Sequence, residues 1–282
     1  MANTFVPHTI TLKGSPVEIN IPWVMGILNV TPDSFYGNSR YNEEGIITER
    51  VHQIIAEGGK IIDIGGYSSR PGAEEVSPEE EYQRLAKALA IIKREAPDAI
   101  ISIDTFRADV ARRCVEEWEA DIINDISGGN LDDKMVETIA SLNVPYILMH
   151  MRGTPQTMSL LTNYQDVTND VINELTTKVQ NLKQRGIKDI IIDPGFGFSK
   201  TLEQNYEMMA RLEYFHKLDL PLLVGISRKS MIYRLLDSSP ETALNGTSIL
   251  NTIALMKGAH ILRVHDVKET IEAIKIVQQT SI

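Results

Sequence analysis

Polar side chains recur in this sequence at the far ends of short apolar runs. Asn29 closes one run, Asp104 another, and Asn124 with Asp125 a third. His150, Asp193, the triplet Ser227-Arg228-Lys229 and the quartet Arg263-Val264-His265-Asp266 end the others. Any one such ending is ordinary, because a strand becomes polar as it leaves a core. So many together need another account, since buried carboxylates and amides require partners. By chemistry they fall into two sets. Asp104, Asn124 and Asp193 are mostly acceptors and suit a flat heterocycle rich in N–H donors, with Lys229 placed to hydrogen-bond its acceptor atoms. Arg70, Arg263 and His265, with Asn29 beside them, suit a phosphate or pyrophosphate. Asn29 is a neutral oxygen ligand that could hold a mostly hydrated Mg²⁺ bridging to phosphate oxygens. Residues 227–231 begin a helix whose free N–H groups would welcome an anion.

The elements that must position these groups repeat along the chain. Apolar runs at 23–30, 60–66, 99–105, 121–126, 146–150, 189–193, 221–227 and 261–264 are short and apolar on both faces, as parallel strands buried on both sides must be. Helical patterns lie between them at 43–57, 78–95, 107–118, 132–142, 164–185, 202–216, 240–257 and 267–279. Ser77, Pro78 and Glu80 read as a capping box with proline in the first turn, and Ser239-Pro240-Glu241 repeats the cap-then-proline arrangement. Eight strand–helix units in order predict an α/β fold, a closed (β/α)8 TIM barrel, as one domain over residues 1–282. A doubly wound open sheet is the alternative, but no G-x-G-x-x-G follows the first strand. Ahead of the barrel, within residues 1–21, segments 9–12 and 17–19 alternate around Lys13-Gly14-Ser15-Pro16 and predict a hairpin plugging the barrel floor. In such a barrel the chemistry sits at the carboxyl ends of the strands, where the polar residues fall. Two loops there, 31–42 and 67–77, exceed most βα connections and are candidate lids.

Composition narrows the function classes. The 282 residues carry 28 Lys+Arg against 38 Asp+Glu, a net charge of −10, which argues against broad binding to nucleic acid. A single cysteine, Cys114, excludes an intrachain disulfide and a cysteine-based zinc cluster. No apolar run approaches the roughly 18 residues of a membrane span, and residues 1–14 lack the pattern of a signal peptide, so a cytoplasmic setting is expected. Cys114 reads as a small buried hydrophobe, Trp23 as packing at the barrel floor, Trp118 as packing on a helix face, and Glu79-Glu80-Glu81 as a helix-start charge set. His150 is open between a satisfied core histidine and a ligand contact, and Met149 between the ring-binding face and plain packing. His8, His52, His216 and His260 carry no motif.

The segments ILNVTPDSF (27–35), GGYSSRPGAE (65–74), SIDTFR (102–107), INDISGG (123–129), LMHMRGTPQTM (148–158), DPGFGFSK (193–200), GISRKSMI (225–232), NGTS (245–248) and RVHDV (263–267), in this order along almost the whole chain, resemble the dihydropteroate synthases, pterin-binding enzymes of folate biosynthesis. The resemblance implies a transferase that joins 6-hydroxymethyl-7,8-dihydropterin diphosphate to p-aminobenzoate and releases pyrophosphate. It implies that Asp104, Asn124, Met149, Asp193 and Lys229 hold the pterin, and that Asn29, Arg70, Arg263 and His265 hold the pyrophosphate with Mg²⁺. It implies that Ser69, Arg70 and Pro71 close over a p-aminobenzoate pocket completed by Phe198, Lys200 and Ser230, with Asp33 and Phe35 of the first loop finishing the closed site. Asp104, Asp193, Lys229, Arg263 and His265 then form the catalytic set. Sulfonamide inhibitors and a homodimer are implied as partners. One departure is Tyr67-Ser68-Ser69, where the family often has Glu-Ser-Thr; Ser69 keeps the hydroxyl and loses a methyl. The chemistry expected is dissociative, because a pterin ring can delocalise positive charge and an arylamine needs no strong base. A pterin-dependent methyltransferase would share the acids without needing the SSRPG loop, the SRKS segment or the Arg263/His265 pair. A non-catalytic pterin-binding paralogue would not need every motif retained, and a phosphate-handling isomerase would want a base pair that is not assignable here.

Overall fold

Ile, Val and Leu crowd the runs that become strands, and polar or capping residues bound the helices between them. The computed structural model describes residues 5–31, 40–67 and 76–280. Its elements are β1 (His8–Leu12), β2 (Ser15–Ile19), β3 (Trp23–Asn29), α1 (Arg40–Ala56), β4 (Ile61–Gly65), α2 (Pro78–Glu95), β5 (Ile100–Asp104), α3 (Ala108–Trp118), β6 (Ile122–Asp125), α4 (Met135–Leu142), β7 (Tyr146–Met149), α5 (Val167–Gln184), β8 (Ile190–Asp193), α6 (Leu202–Ala210), β9 (Leu223–Val224), α7 (Ser230–Leu235), α8 (Leu244–Met256), β10 (Ile261–Val264) and α9 (Val267–Thr280). The 8-stranded sheet runs β8-β7-β6-β5-β4-β3-β10-β9, all its pairs parallel. A parallel bridge between Ile192 and Leu222 joins its two ends and closes the barrel. No helix among the described residues is long and apolar enough to cross a membrane.

Apolar packing occurs in three layers. The largest lies between the outer face of the strands and the helices. A second fills the barrel floor, where Trp23, Met25, Ile61, Ile122, Ile147, Ile191, Leu223 and Ile261 meet Ile10, Leu12 and Ile19 of the hairpin. The hairpin therefore plugs the floor as its alternation predicts. Its turn is tighter than the sequence suggests: Ser15 and Pro16 pair within β2, and the turn is Lys13-Gly14, both at positive φ (50° and 74°), the geometry that two-residue hairpin turns favour. The third layer is small and sits at the opposite end, where Ile126, Met149, Met151 and Met158 pack with Phe106, Leu131 and Phe198.

Some helix expectations are corrected. The box at α2 half forms: Ser77 Oγ accepts from the Glu80 N–H at 3.2 Å, but the Glu80 carboxylate turns to Arg84 at 2.6 Å. A reciprocal box forms instead at α6, between Thr201 and Gln204. The run 202–216 does not stay α-helical. From Leu212 to Leu218 it tightens to three residues per turn, which puts Leu212 and Phe215 on the same buried face. The segment expected at 240–257 is a short turn at 240–242 followed by α8, with α7 preceding both.

Candidate functional site

Strand register places the polar row. Asn29 pairs with Gly65, Gly65 with Asp104 and Asp104 with Asn124, so these residues cross β3 to β6 at one level of the carboxyl end. Across the mouth, Met149 pairs with Asp193. Gly65 leaves room in this row, since a Cβ there would lie 3.6 Å from Asp104 Oδ2 and 3.7 Å from Asn29 Oδ1. Gly225 does the same on the other side, its Cβ position lying 3.9 Å from both Arg263 Cδ and Asp193 Oδ2.

Arg263 ties the row together. It donates from Nε to Asp63 Oδ2 and from Nη2 to Asp104 Oδ2, each at 2.6 Å. Asp63 is fully buried one layer below the row and also accepts from Ser102 Oγ at 2.6 Å and from the Asn124 amide at 3.3 Å. The amide oxygen of Asn124 is thereby left as the acceptor. Sequence reasoning missed Asp63. The available signal was a lone carboxylate inside the apolar strand IIDIG, two residues before Gly65 and so on the same face. The expected division into an acid slot and a separate cationic seat is also revised, because Arg263 belongs to both.

The charges perturb one another. Burial pushes the Asp104 carboxyl up to about 7, more than Arg263 pulls it down. Burial likewise raises Asp193, against Lys229 and the Gly195 N–H, which donates to its Oδ1 at 2.7 Å. Burial works against the charge on Arg263, yet Asp63 and Asp104 hold its pKa above the usual arginine value. Lys229 is lowered to about 8 by burial, with Asp193 opposing. Its ammonium donates to the Phe196 carbonyl at 2.5 Å and lies 4.5 Å from the centre of the Phe198 ring.

His265 sits two residues beyond Arg263. Ser227 Oγ accepts from its backbone N–H at 3.1 Å and lies 3.0 Å from its Nδ1. With the hydroxyl proton directed to Nδ1, Nε2 carries the ring proton. Burial lowers the His265 pKa to about 4, so at neutral pH the ring is an uncharged donor. Arg228 is not an anion ligand. Its guanidinium is held by both oxygens of Asp266, at 2.9 and 2.7 Å, and by the carbonyls of Pro240 and Glu241. It fixes the strand end that carries Ser227 and Lys229.

The structure thus gathers Asn29, Asp104, Asn124, Met149, Asp193, Phe198, Lys229, Arg263 and His265 at one mouth, and Ser230 follows Lys229 at the start of α7. Asp125 points away and accepts from Tyr146 and from the Ser127 and Gly129 N–H groups, shaping its loop. Lys200 is turned inward, its ammonium on His150 Nδ1 and on the carbonyls of Gly195 and Phe198. His150 is accordingly a satisfied buried histidine. Asp33, Phe35, Ser69, Arg70 and Pro71 lie outside the described residues. The apolar wall of Phe106, Ile126, Leu131, Met151 and Met158 was not singled out in the sequence, because methionine and aromatic residues in loops carry no periodic signal. The donor set suits a Mg²⁺ carried by a diphosphate. Asn29 offers one neutral oxygen at the rim, and no group of three or more His, Cys, Asp or Glu among the described residues forms a protein cage.

Comparison with known proteins agrees with this fold. The profile of the family described as "Pterin binding enzyme" matches residues 25–265. The dihydropteroate synthase of Escherichia coli (strain K12) is 43% identical over 270 residues, 95% of each chain. The solved structure of the Yersinia pestis dihydropteroate synthase with a sulfonamide drug complex superposes with a TM-score of 0.89 at 38% identity, covering 97% of this chain and 98% of that one. A Xanthomonas albilineans dihydropteroate synthase with 4-aminobenzoic acid superposes with a TM-score of 0.86 at 33% identity, covering 98% of each.

Proposed function

This chain belongs to the pterin binding enzyme family, alongside the dihydropteroate synthases, and from that premise we propose that it condenses 6-hydroxymethyl-7,8-dihydropterin diphosphate with p-aminobenzoate to 7,8-dihydropteroate and pyrophosphate. The observation that carries the reading is the array in which Arg263 bridges Asp63 and Asp104 beside Asn124, Asp193 and Lys229. Acceptors for a ring and donors for its diphosphate share one mouth.

The roles follow from the side chains. Asp104, Asn124 and Asp193 accept from the N–H groups of the pterin, and Lys229 donates to its acceptor atoms. Arg263 and the neutral Nε2–H of His265 donate to the diphosphate. The bond between the exocyclic methylene carbon and the diphosphate oxygen breaks first, and its electron pair leaves with pyrophosphate. The acids stabilise the resulting cation, and the basic groups stabilise the leaving group. The arylamine nitrogen then forms the new C–N bond and loses a proton. No strong base is required, so the rate depends on positioning and charge. A Mg²⁺ held through Asn29 and the diphosphate would neutralise further charge on the leaving group. Sulfonamides, which mimic the second substrate, would occupy the same pocket near Phe198. The protein is proposed to act in the cytoplasm and as a homodimer. Leu235 at the end of α7 and Leu236 just beyond it, with Ile249 and Met256 of α8, are about half exposed and suit contact with a second copy.

Pyrophosphate release from the pterin diphosphate with Mg²⁺, measured with and without p-aminobenzoate, tests the reading. Amine-dependent release with dihydropteroate as product is expected. No release in any condition overturns it.

A further inference from the structure

The segment DPGFGFSK leaves the end of β8 and folds into a tight coil. Gly195, Gly197 and Ser199 all have positive φ (70°, 80° and 48°). A side chain at Gly195 is excluded, because its Cβ would lie 2.0 Å from the His150 carbonyl oxygen. A coil of this kind turns carbonyls inward, where they need donors. Two lysines supply them. Lys229 takes the Phe196 carbonyl from the side of the mouth. Lys200 takes the Gly195 and Phe198 carbonyls from beneath, at 3.0 and 2.9 Å.

Lys200 is itself held. Its third contact is His150 Nδ1 at 3.0 Å. An ammonium only donates, so Nδ1 accepts and Nε2 carries the proton to Glu174 Oε2, 2.9 Å away. Glu174 is in turn gripped by Arg152, through Nε at 3.0 Å and through Nη2. The chain Arg152–Glu174–His150–Lys200 therefore runs from a polar surface cleft of about 390 Å³, lined by Arg152, Asn163, Gln165, Asp170, Asn173 and Glu174, to the underside of the coil. Three N–H donors on the ammonium meet three acceptors, so removing the donors takes this partner from the Phe198 carbonyl and from His150 Nδ1, and leaves the Gly195 carbonyl only the Phe198 N–H.

We propose that Lys200 is a positioning residue for the second substrate: it touches no substrate and acts by holding the carbonyls that set the Phe198 ring against Lys229. This deepens the proposed synthase reading and rests on it. Coil, lysine and ring form one unit, because the Phe198 carbonyl that Lys200 grips belongs to the residue whose ring lies under the Lys229 ammonium. Asp104 on β5 and Asn124 on β6 lie outside that unit, and the coil meets Asp193 through the Gly195 N–H and Lys229 through the Phe196 carbonyl, neither of which Lys200 grips. Loss of Lys200 therefore acts mainly on p-aminobenzoate.

The test is Lys200→Met, which keeps the length of the side chain and removes its donors. KM for p-aminobenzoate is expected to rise at least tenfold, while the affinity for a pterin lacking the diphosphate, measured by calorimetry, changes less than threefold. In a Phe198→Ala background the same substitution is expected to add under threefold to KM, since the two act through one contact. An unchanged KM, an equal loss for the pterin, or full additivity with Phe198→Ala overturns the proposal. Glu174→Gln, at the half-exposed end of the chain, serves where Lys200→Met does not fold: a smaller rise in the same KM supports the proposal, and none overturns it. Wild-type turnover in the same assay separates the two readings, because an inactive wild type sinks the synthase reading itself.

Discussion

Asp63 lies one layer below the mouth of the barrel and accepts from Nε of Arg263 at 2.6 Å, fully buried. The contact fixes the rotation of the guanidinium. With Nε committed downward, Nη2 reaches Asp104, and the plane of the group spans from the core to the rim. A carboxylate that touches no solvent thus decides where the guanidinium at the mouth sits.

Asp63→Asn is expected to keep the fold and loosen Arg263. An unsatisfied or mismatched buried polar contact costs about 1–3 kcal/mol. A thermal melt should fall by several degrees, and kcat/KM for the pterin diphosphate should drop at least about tenfold, equivalent to about 1.4 kcal/mol. Wild-type kcat/KM in a folded variant would remove Asp63 from the positioning of Arg263.

Arg263→Ala strips the partner from two carboxylates, so both ligand classes should bind less well. The diphosphate substrate also loses direct contacts, and its affinity should fall at least about tenfold further than that of a pterin without the diphosphate. Equal losses for the two ligands by calorimetry would refute the pyrophosphate assignment.

The pH profile of kcat/KM for the pterin diphosphate reports the free enzyme. With Asp104 pushed up to about 7 and Lys229 lowered to about 8, the profile should be a narrow bell. It rises as Asp104 loses its proton and falls as Lys229 loses its own. Asp104→Asn should abolish the acid limb at reduced overall activity. An acid limb surviving unchanged in that variant would assign it elsewhere.

At the barrel floor, His260 accepts the Leu222 N–H at Nδ1 and meets the Val6 carbonyl through Nε2, so protonating the ring forces an N–H against an N–H. Its pKa is lowered to about 4, first by burial. Because the unfolded chain binds this proton near pH 6.5, the group's contribution to stability is complete above that pH. It is lost as pH falls from about 6.5 to 4, on the order of 1 kcal/mol per unit. NMR titration should find the His260 ring neutral at pH 5.5. A midpoint above 6 contradicts the burial.

Much of the site was legible because polar residues at the ends of apolar runs stand out against them. Asp104, Asn124, Asp193 and Arg263 come together because strand register aligns strand ends. Asp63 was not read, since a single carboxylate within a strand looks like a break in the pattern until its partner from β10, 200 residues away, is seen. Lys200 was placed by its motif among groups touching p-aminobenzoate, and its ammonium turns the other way. Spacing along a chain does not reveal which way a side chain points from a coil with positive φ.

What the sequence alone determined was the alternation of strand and helix, hence the barrel, and the row of polar groups at its carboxyl end, because both follow from local periodicity. Only the tertiary structure decided that Arg263 is shared between Asp63 and Asp104, that Arg228 is consumed by Asp266, and that a buried lysine grips the coil beneath Phe198. Those pairings depend on distances between elements far apart in the chain, and at such distances the energy of a charge is set by its neighbours and by how much water reaches it.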